Sequence, residues 1–284
     1  MDARSQEGYK WQTRGIAMSP RQRCFACLDQ NPPALLEAAL WLAAEHDPTL
    51  QPTETLAAFD ELLHQVRTRL PVLPAAQLAM PLLRCLGDLD FHEDDSAPLR
   101  PQASLLHLVM RRRRGQPLAL AIIALELAQR LDIPLQGVNF PGHFLVRVPG
   151  ADHMLDPCSG RRLYTQDCRA FLIRHFGSNR ELHADNLTAC DPPSMLQRMS
   201  RNLRHLHVQD DDYLAALKDA ERVLLLGPPS AADHLARADI YQQLACPQAE
   251  RFDVERALML SEDGVTQLAL GERLRRLGHA HPLH

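Results

Sequence analysis

Residues able to do chemistry stand close together between positions 111 and 156. RRRRGQPLALAIIALELAQRLDIP is followed by LQGVNFPGHFLVRV and then HMLDP, so a Gly-Gln-Pro opens an apolar helix and neighbouring strands carry His143 and Asp156. A His–Asp pair beside a helix N-terminus is the scaffold of a Cys-His-Asp site, in which the imidazole takes a proton and the carboxylate orients the ring. That chemistry needs a thiol at the start of the helix, where the dipole favours a thiolate. This helix starts with Pro117, whose side chain has no proton to give up.

Two other residues are alternative nucleophiles. Cys158 lies just past Asp156, but Pro157 breaks the strand and no helix dipole activates the thiol. Ser104 falls in the preceding helix and would need His143 within hydrogen-bond reach. Arg113 and Arg114, beside Gly115 and Gln116, could form a phosphate or carboxylate pocket near His143 with the open amides of the next helix. The plainer reading of that arginine run is a solvated helix end. Cys24 and Cys27 form a CxxC without a second ligand pair, which points away from zinc or redox work. His153 and Asp156 fall on opposite faces of a strand, so no metal site is expected there, and no cofactor is implied.

The elements that must position these residues follow from periodicity. The first 31 residues carry little pattern and read as a loose extension. ALLEAALWLAAEHD, TLAAFDELLHQVRTRL, PAAQLAMPLLRCLGDL and SLLHLVMRRRR repeat apolar residues at helical spacing. Between the last two, DFHEDDSAPLRP reads as an acidic surface loop. Gly115 is placed to end one helix and Pro117 to begin the next, which is apolar nearly all round and so buried. LQGVNF, HFLVRV and HMLD read as strands, and TQDCRAFLIRHFG as a helix with Thr165 as its cap. Helices, then strands, then helices argue for an α+β domain over 32–190 with a small antiparallel sheet.

The C-terminal part, 194–284, is all helical by pattern. DAERVLLL at 219 and DVERALML at 253 are 34 residues apart and agree at five of eight positions. A 34-residue helix pair is the tetratricopeptide period. So short an array is expected to pack on the first domain, and helical repeats of this type offer a groove to a protein or peptide partner.

Composition sets further bounds. With 284 residues, 45% hydrophobic and 23% charged, the chain suits an ordinary globular protein of two domains. A net charge of −4 gives no reason to expect nucleic-acid binding. No apolar run is long enough to span a bilayer, and the seven cysteines form no disulfide pattern, so a cytoplasmic protein without membrane contact is expected.

From about residue 35 to 275 the chain resembles the SirB/YchA-type branch of the transglutaminase-like superfamily. Ser104-Leu105-Leu106, RRRRGQPLALA (111–121), PGHFLVR (141–147), LDP (155–157) and RMSRNLRHLHV (198–208) carry the resemblance. It implies a papain-like α+β core followed by a tetratricopeptide-like tail. In active members of the superfamily the nucleophile stands two residues after a glycine; here Gly115 plus two is Pro117, while His143 and Asp156 match the base and its orienter. The resemblance transfers no substrate. Two functions follow: a non-catalytic binding or regulatory protein, or a hydrolase or acyltransferase with a relocated nucleophile.

Overall fold

The computed structural model describes residues 18–278. The N-terminal half contributes α1 (Pro20–Leu28), α2 (Leu35–Ala44), α3 (Pro52–Arg69), α4 (Ala79–Asp88), β1 (His92–Glu93), α5 (Leu106–Arg112), β2 (Arg114–Gly115) and α6 (Pro117–Arg130). α1 corrects the expected loose extension: Ser19 and Gln22 form a capping box, and Cys24 and Cys27 are buried in the main core. Its apolar stripe is too short and too weak to register as a period. Positions 1–17 of that extension lie outside the described residues.

α6 is the central helix, as its all-round apolar sequence requires. Leu118 through Ala124, Leu127 and Ala128 are buried against α2, α4, α5 and the sheet. Each fully buried Leu or Ile there contributes roughly 1.5–3 kcal/mol. Pro117 occupies the first turn, where its missing N–H costs nothing. Asp132, at φ 56°, reverses the chain after the helix, and the Ile133 amide donates to the Ala128 carbonyl at 2.8 Å.

Gly115 does not end α5. The left-handed residue there is Arg113, at φ 56°, and Gly115 sits two residues later, in β2. Glycine is required at 115 by crowding, since a Cβ would stand 2.6 Å from Val109 Cγ1. β2 runs parallel to β1, with Glu93 opposite Gly115. The acidic loop therefore contains a strand, which its polar sequence did not suggest.

The main sheet comprises β3 (Gln136–Val138), β4 (Leu145–Arg147), β5 (Met154–Leu155) and β6 (Arg162–Leu163), all antiparallel in chain order. Three strands were expected; β6 is a two-residue addition. α7 (Thr165–Phe176) covers one face, with Tyr164 in the cap position that Thr165 was expected to fill. Alternation divides the sheet cleanly. Val138, Leu145, Met154 and Leu163 pack with Cys168 and Leu172 of α7, while Val146 and Leu155 join the main core around α6. Both faces are buried, which is why the strands read as nearly continuous apolar runs.

α8 (Pro192–Gln209), α9 (Tyr213–Leu226), α10 (Ala231–Gln243), α11 (Pro247–Leu260) and α12 (Gly264–Gly278) complete the described chain. α9 and α11 keep the 34-residue offset from end to end. The helical region is not set apart at 194, because Met195, Leu196, Met199 and Leu203 of α8 belong to the main core. No helix among the described residues is long and apolar enough to cross a membrane.

Candidate functional site

His143 and Asp156 do meet. Pro141 and Gly142 turn the chain ahead of β4, with Gly142 at φ +74°, and the His143 amide donates to the Phe140 carbonyl at 3.2 Å. Asp156 follows β5. His143 Nε2 faces Asp156 Oδ1 at 3.6 Å, an ion-pair separation longer than a hydrogen bond, and each side chain is 19% exposed. Burial pushes the Asp156 carboxyl up, but His143, the Cys158 amide and the Ser159 hydroxyl outweigh it and hold the group below its usual range. His143 Nδ1 has no partner among the described residues, and the ring leans on Phe171 with centroids 5.7 Å apart.

The histidine lines a cavity of about 230 Å³ between the start of α6, β1 and α8. Gln116, Pro117 and Leu118 form one wall, Arg198 and Asn202 another, and Glu93 and Asp94 supply carboxylates. Gln116 is locked from two sides: its Oε1 accepts from the Ser104 hydroxyl and from Asn202 Nδ2. Glu93 is exposed as a residue, but its carboxyl end is partly enclosed. That burial raises its pKa; His143 opposes the rise and Asp156 reinforces it.

A helix opened by Gly-Gln-Pro, a His just ahead of the second strand of the sheet and an Asp just after the third occur here in one fold. The family model of the transglutaminase-like superfamily matches residues 53–201, more than half of the chain, and this span contains every one of those features. The chain belongs to that superfamily. Within it, the chain is similar to a UPF0162 protein of Pseudomonas aeruginosa, with 58% identity over 261 residues, covering 92% of this chain and 97% of that protein. It is also similar to the UPF0162 protein YchA of Escherichia coli, 23% identical with coverage of 69% and 74%, and to protein SirB1 of Salmonella typhimurium, 25% identical with coverage of 63% and 67%. These relatives place it in the SirB/YchA-type branch.

Set against the transglutaminase-like arrangement, the two alternative nucleophiles are both spent elsewhere. Ser104 is buried and donates to Gln116. The Cys158 thiol is pushed far up by burial, with Asp156 and Glu93 adding to the shift, so it stays protonated. No Ser, Thr or Cys is among the residues lining the cavity.

The arginine pocket was expected in the wrong place. Arg113 Nη1 donates to the Leu89 carbonyl at 2.7 Å with its guanidinium over Phe91, and Arg114 pairs with Asp90 at 3.0 Å. Neither lines the cavity, nor does Gly115, which is buried under Val109. The left-handed turn at Arg113 sends both side chains back toward the end of α4. The cavity's arginine is Arg198, from a helix more than fifty residues past His143, and no local motif could have announced it. Glu93 and Asn202 were missed for the same reason.

The cysteine pair at 24 and 27 is inert. Burial pushes the two thiols up to about 12 and about 11, and all seven cysteines are free. A second His–Asp cluster was not foreseen. His46 Nε2 and His207 Nδ1 approach the two oxygens of Asp219 at 2.8 and 2.7 Å, close enough together to suggest a metal site. Arg222 also sits on Asp219 at 2.8 Å and is fully buried. A cation already neutralises the carboxylate, so the cluster is a hub of ion pairs tying α2 to α8 and α9.

Proposed function

We propose that this chain is a non-catalytic binding protein, in which a transglutaminase-like site has kept its cavity and lost its chemistry. One observation carries the reading. His143, with Asp156 behind it, borders a cavity whose helix begins with Pro117 and whose lining offers no nucleophile. The helix pairs at 34-residue spacing supply a second, tetratricopeptide-like surface for a protein or peptide partner, which makes a regulatory role the natural one. Seven unpaired thiols fit a cytoplasmic location.

The test uses the full-length protein with p-nitrophenyl esters and with an iodoacetamide probe at neutral pH. The wild type is expected to show no ester turnover that depends on His143, and no labelling at the cavity. Pro117→Cys is expected to create a thiol that reacts faster than the native cysteines, because it gains the α6 dipole and His143. Ester turnover by the wild type that disappears in His143→Ala would overturn the proposal.

A further inference from the structure

Arg198 is the exception on its helix. Three residues along α8, Arg201 makes a two-pronged pair with Asp233 at 2.8 and 2.9 Å. Arg198 has no acidic partner among the described residues. Its Nη1 donates to the Asn139 side-chain carbonyl and, at 2.7 Å, to the Phe140 main-chain carbonyl, while Nε and Nη2 have no acceptor among the described residues. Burial of this lone cation lowers its pKa to about 10. An enclosed charge without a counter-ion is costly, and a folded protein relieves the cost by pairing it.

The remaining donors around the cavity are unspent too. Gln116 uses only its Oε1, twice, so both accepted bonds orient the amide and leave Nε2 without an acceptor among the described residues. The Gln116 main-chain N–H is taken by the Ala103 carbonyl at 2.7 Å and Pro117 has none, which makes Leu118 the first open amide of α6. Arg198, Gln116 and Leu118 all line the same space. A fixed guanidinium fork, a primary amide and a helix amide are together a receptor for a planar anion.

The carboxylates select which anion. Glu93 and Asp94 border the cavity and Asp156 lies behind His143. Asp94 is matched by Arg112 at 2.8 Å, whereas Glu93 has no arginine partner. A phosphate dianion would bring two further negative charges to this acidic wall against the single Arg198; a carboxylate brings one. Leu99, Leu118 and Phe144 complete the lining with apolar surface, and the cavity of about 230 Å³ has room for a small aliphatic group.

We propose that the cavity binds a monocarboxylate bearing a small apolar group, held by Arg198 with Gln116 and the Leu118 amide. The inference rests on the cavity being a recognition site. The carboxylate could belong to a free organic acid or to the end of a peptide, and the probes separate these sources.

The experiment follows the Arg198 Nε–H signal by NMR in the full-length protein while isovalerate, N-acetyl-leucine, N-acetyl-leucinamide or inorganic phosphate is added. Isovalerate or N-acetyl-leucine, or both, are expected to shift that signal saturably. The tighter of the two identifies a free acid or a peptide end as the source, and the amide and phosphate are expected to leave the signal in place. Arg198→Lys keeps the charge but not the fork and is expected to weaken carboxylate binding about tenfold to a hundredfold, read by calorimetry. If neither acid moves the Arg198 signal up to tens of millimolar, or if amide or phosphate moves it equally, the inference fails. Such a failure alongside an absence of ester turnover leaves the non-catalytic reading standing; carboxylate binding together with His143-dependent turnover would sink that reading alone.

Discussion

The His–Asp pairs of the helical region and the one beside the cavity are built in opposite ways. In the helical region, His207 and His46 share Asp219 at 2.7 and 2.8 Å, and His234 meets Asp253 at 2.8 Å; both carboxylates are fully buried and each is also bound by an arginine. In the transglutaminase-like part, His143 and Asp156 stand 3.6 Å apart, both partly open, with a cavity in front of the ring. In the tight pairs both oxygens of each buried acid are bonded, three bonds to each carboxylate. The loose pair leaves an imidazole nitrogen facing outward. Residue type alone does not separate a site from a strut; satisfaction and space do.

The repeat makes the structural role systematic. Asp219 and Asp253 are the same position of the 34-residue period, at the start of DAERVLLL and DVERALML. In α9 and in α11 that aspartate turns inward and takes a histidine from the preceding helix of the pair. Small residues follow in register: Ala220 and Val254, then Val223 and Ala257, are buried where the helices close. Asp219 carries the larger load, since Arg222, its neighbour on α9, also reaches Glu45 at 2.9 Å and so joins the helical region to α2.

The largest test of the contrast is Asp219→Asn. It leaves the fully buried Arg222 with Glu45 as its one carboxylate and replaces the charged acceptor shared by two imidazoles with a neutral amide, so a loss of about 3–5 kcal/mol is expected in urea unfolding. Asp253→Asn is expected to cost less, about 2–3 kcal/mol, because Arg237 is partly open to solvent and can rehydrate. Equal costs would mean that the link to α2 adds nothing to the first repeat. Gly115→Ala comes next, at about 1–3 kcal/mol, since a methyl group must displace Val109 in a packed interior.

Acid tests the same contrast without mutation. Burial alone would raise Asp219, but His207, His46 and Arg222 overcome it and push the group far below its ordinary value; Asp233 is held at about 2 by Arg201 and Ser230 against burial. A carboxylate depressed in the folded state contributes stability that is fully present above its unfolded value of about 3.9 and is lost as pH falls toward the folded one. Unfolding free energy is therefore expected to fall steadily below about pH 5, and the slope is expected to be shallower in Asp219→Asn. An unchanged slope in that variant would show that Asp219 is not a main contributor to acid sensitivity.

Much of the fold was legible in the sequence because periodicity over ten or more residues reports burial directly. α2, α3, α6 and α9 are of that kind, and α6 was readable as central because no face of it is polar. The 34-residue offset likewise recurs between α9 and α11. What escaped reading is short or distant. β1, β2 and β6 are two residues each, too brief for alternation to appear, and α1 buries only Cys24 and Cys27. His143 and Asp156 could be matched by family spacing, since they lie just ahead of β4 and just after β5, close together in sequence. Arg198 and Asn202 reach the cavity from α8 and Glu93 from β1, and only tertiary packing brings them there. The arginine run at 111–114 attracted the anion-site reading by charge density, yet its members are consumed by Asp90, Asp94 and a helix end.

The smallest expected effect is the most pointed. Asp156 accepts from the Cys158 amide at 2.9 Å and from the Ser159 hydroxyl at 2.9 Å, besides facing His143. Asparagine can keep one of those acceptor roles through its carbonyl, so Asp156→Asn is expected to cost less than about 1 kcal/mol, whereas Asp156→Ala loses all three and is expected to cost about 1–3 kcal/mol. The separation between the two measures how much of Asp156 is spent on its own turn and how much on His143. If Asp156→Asn were as damaging as Asp219→Asn, the pair at the cavity would be a strut like those in the repeats, and the contrast between the two regions would collapse. A small cost for Asn, with the cavity's response to carboxylates altered, would instead leave His143 and Asp156 as parts of a site whose geometry is maintained for a ligand and not for the fold.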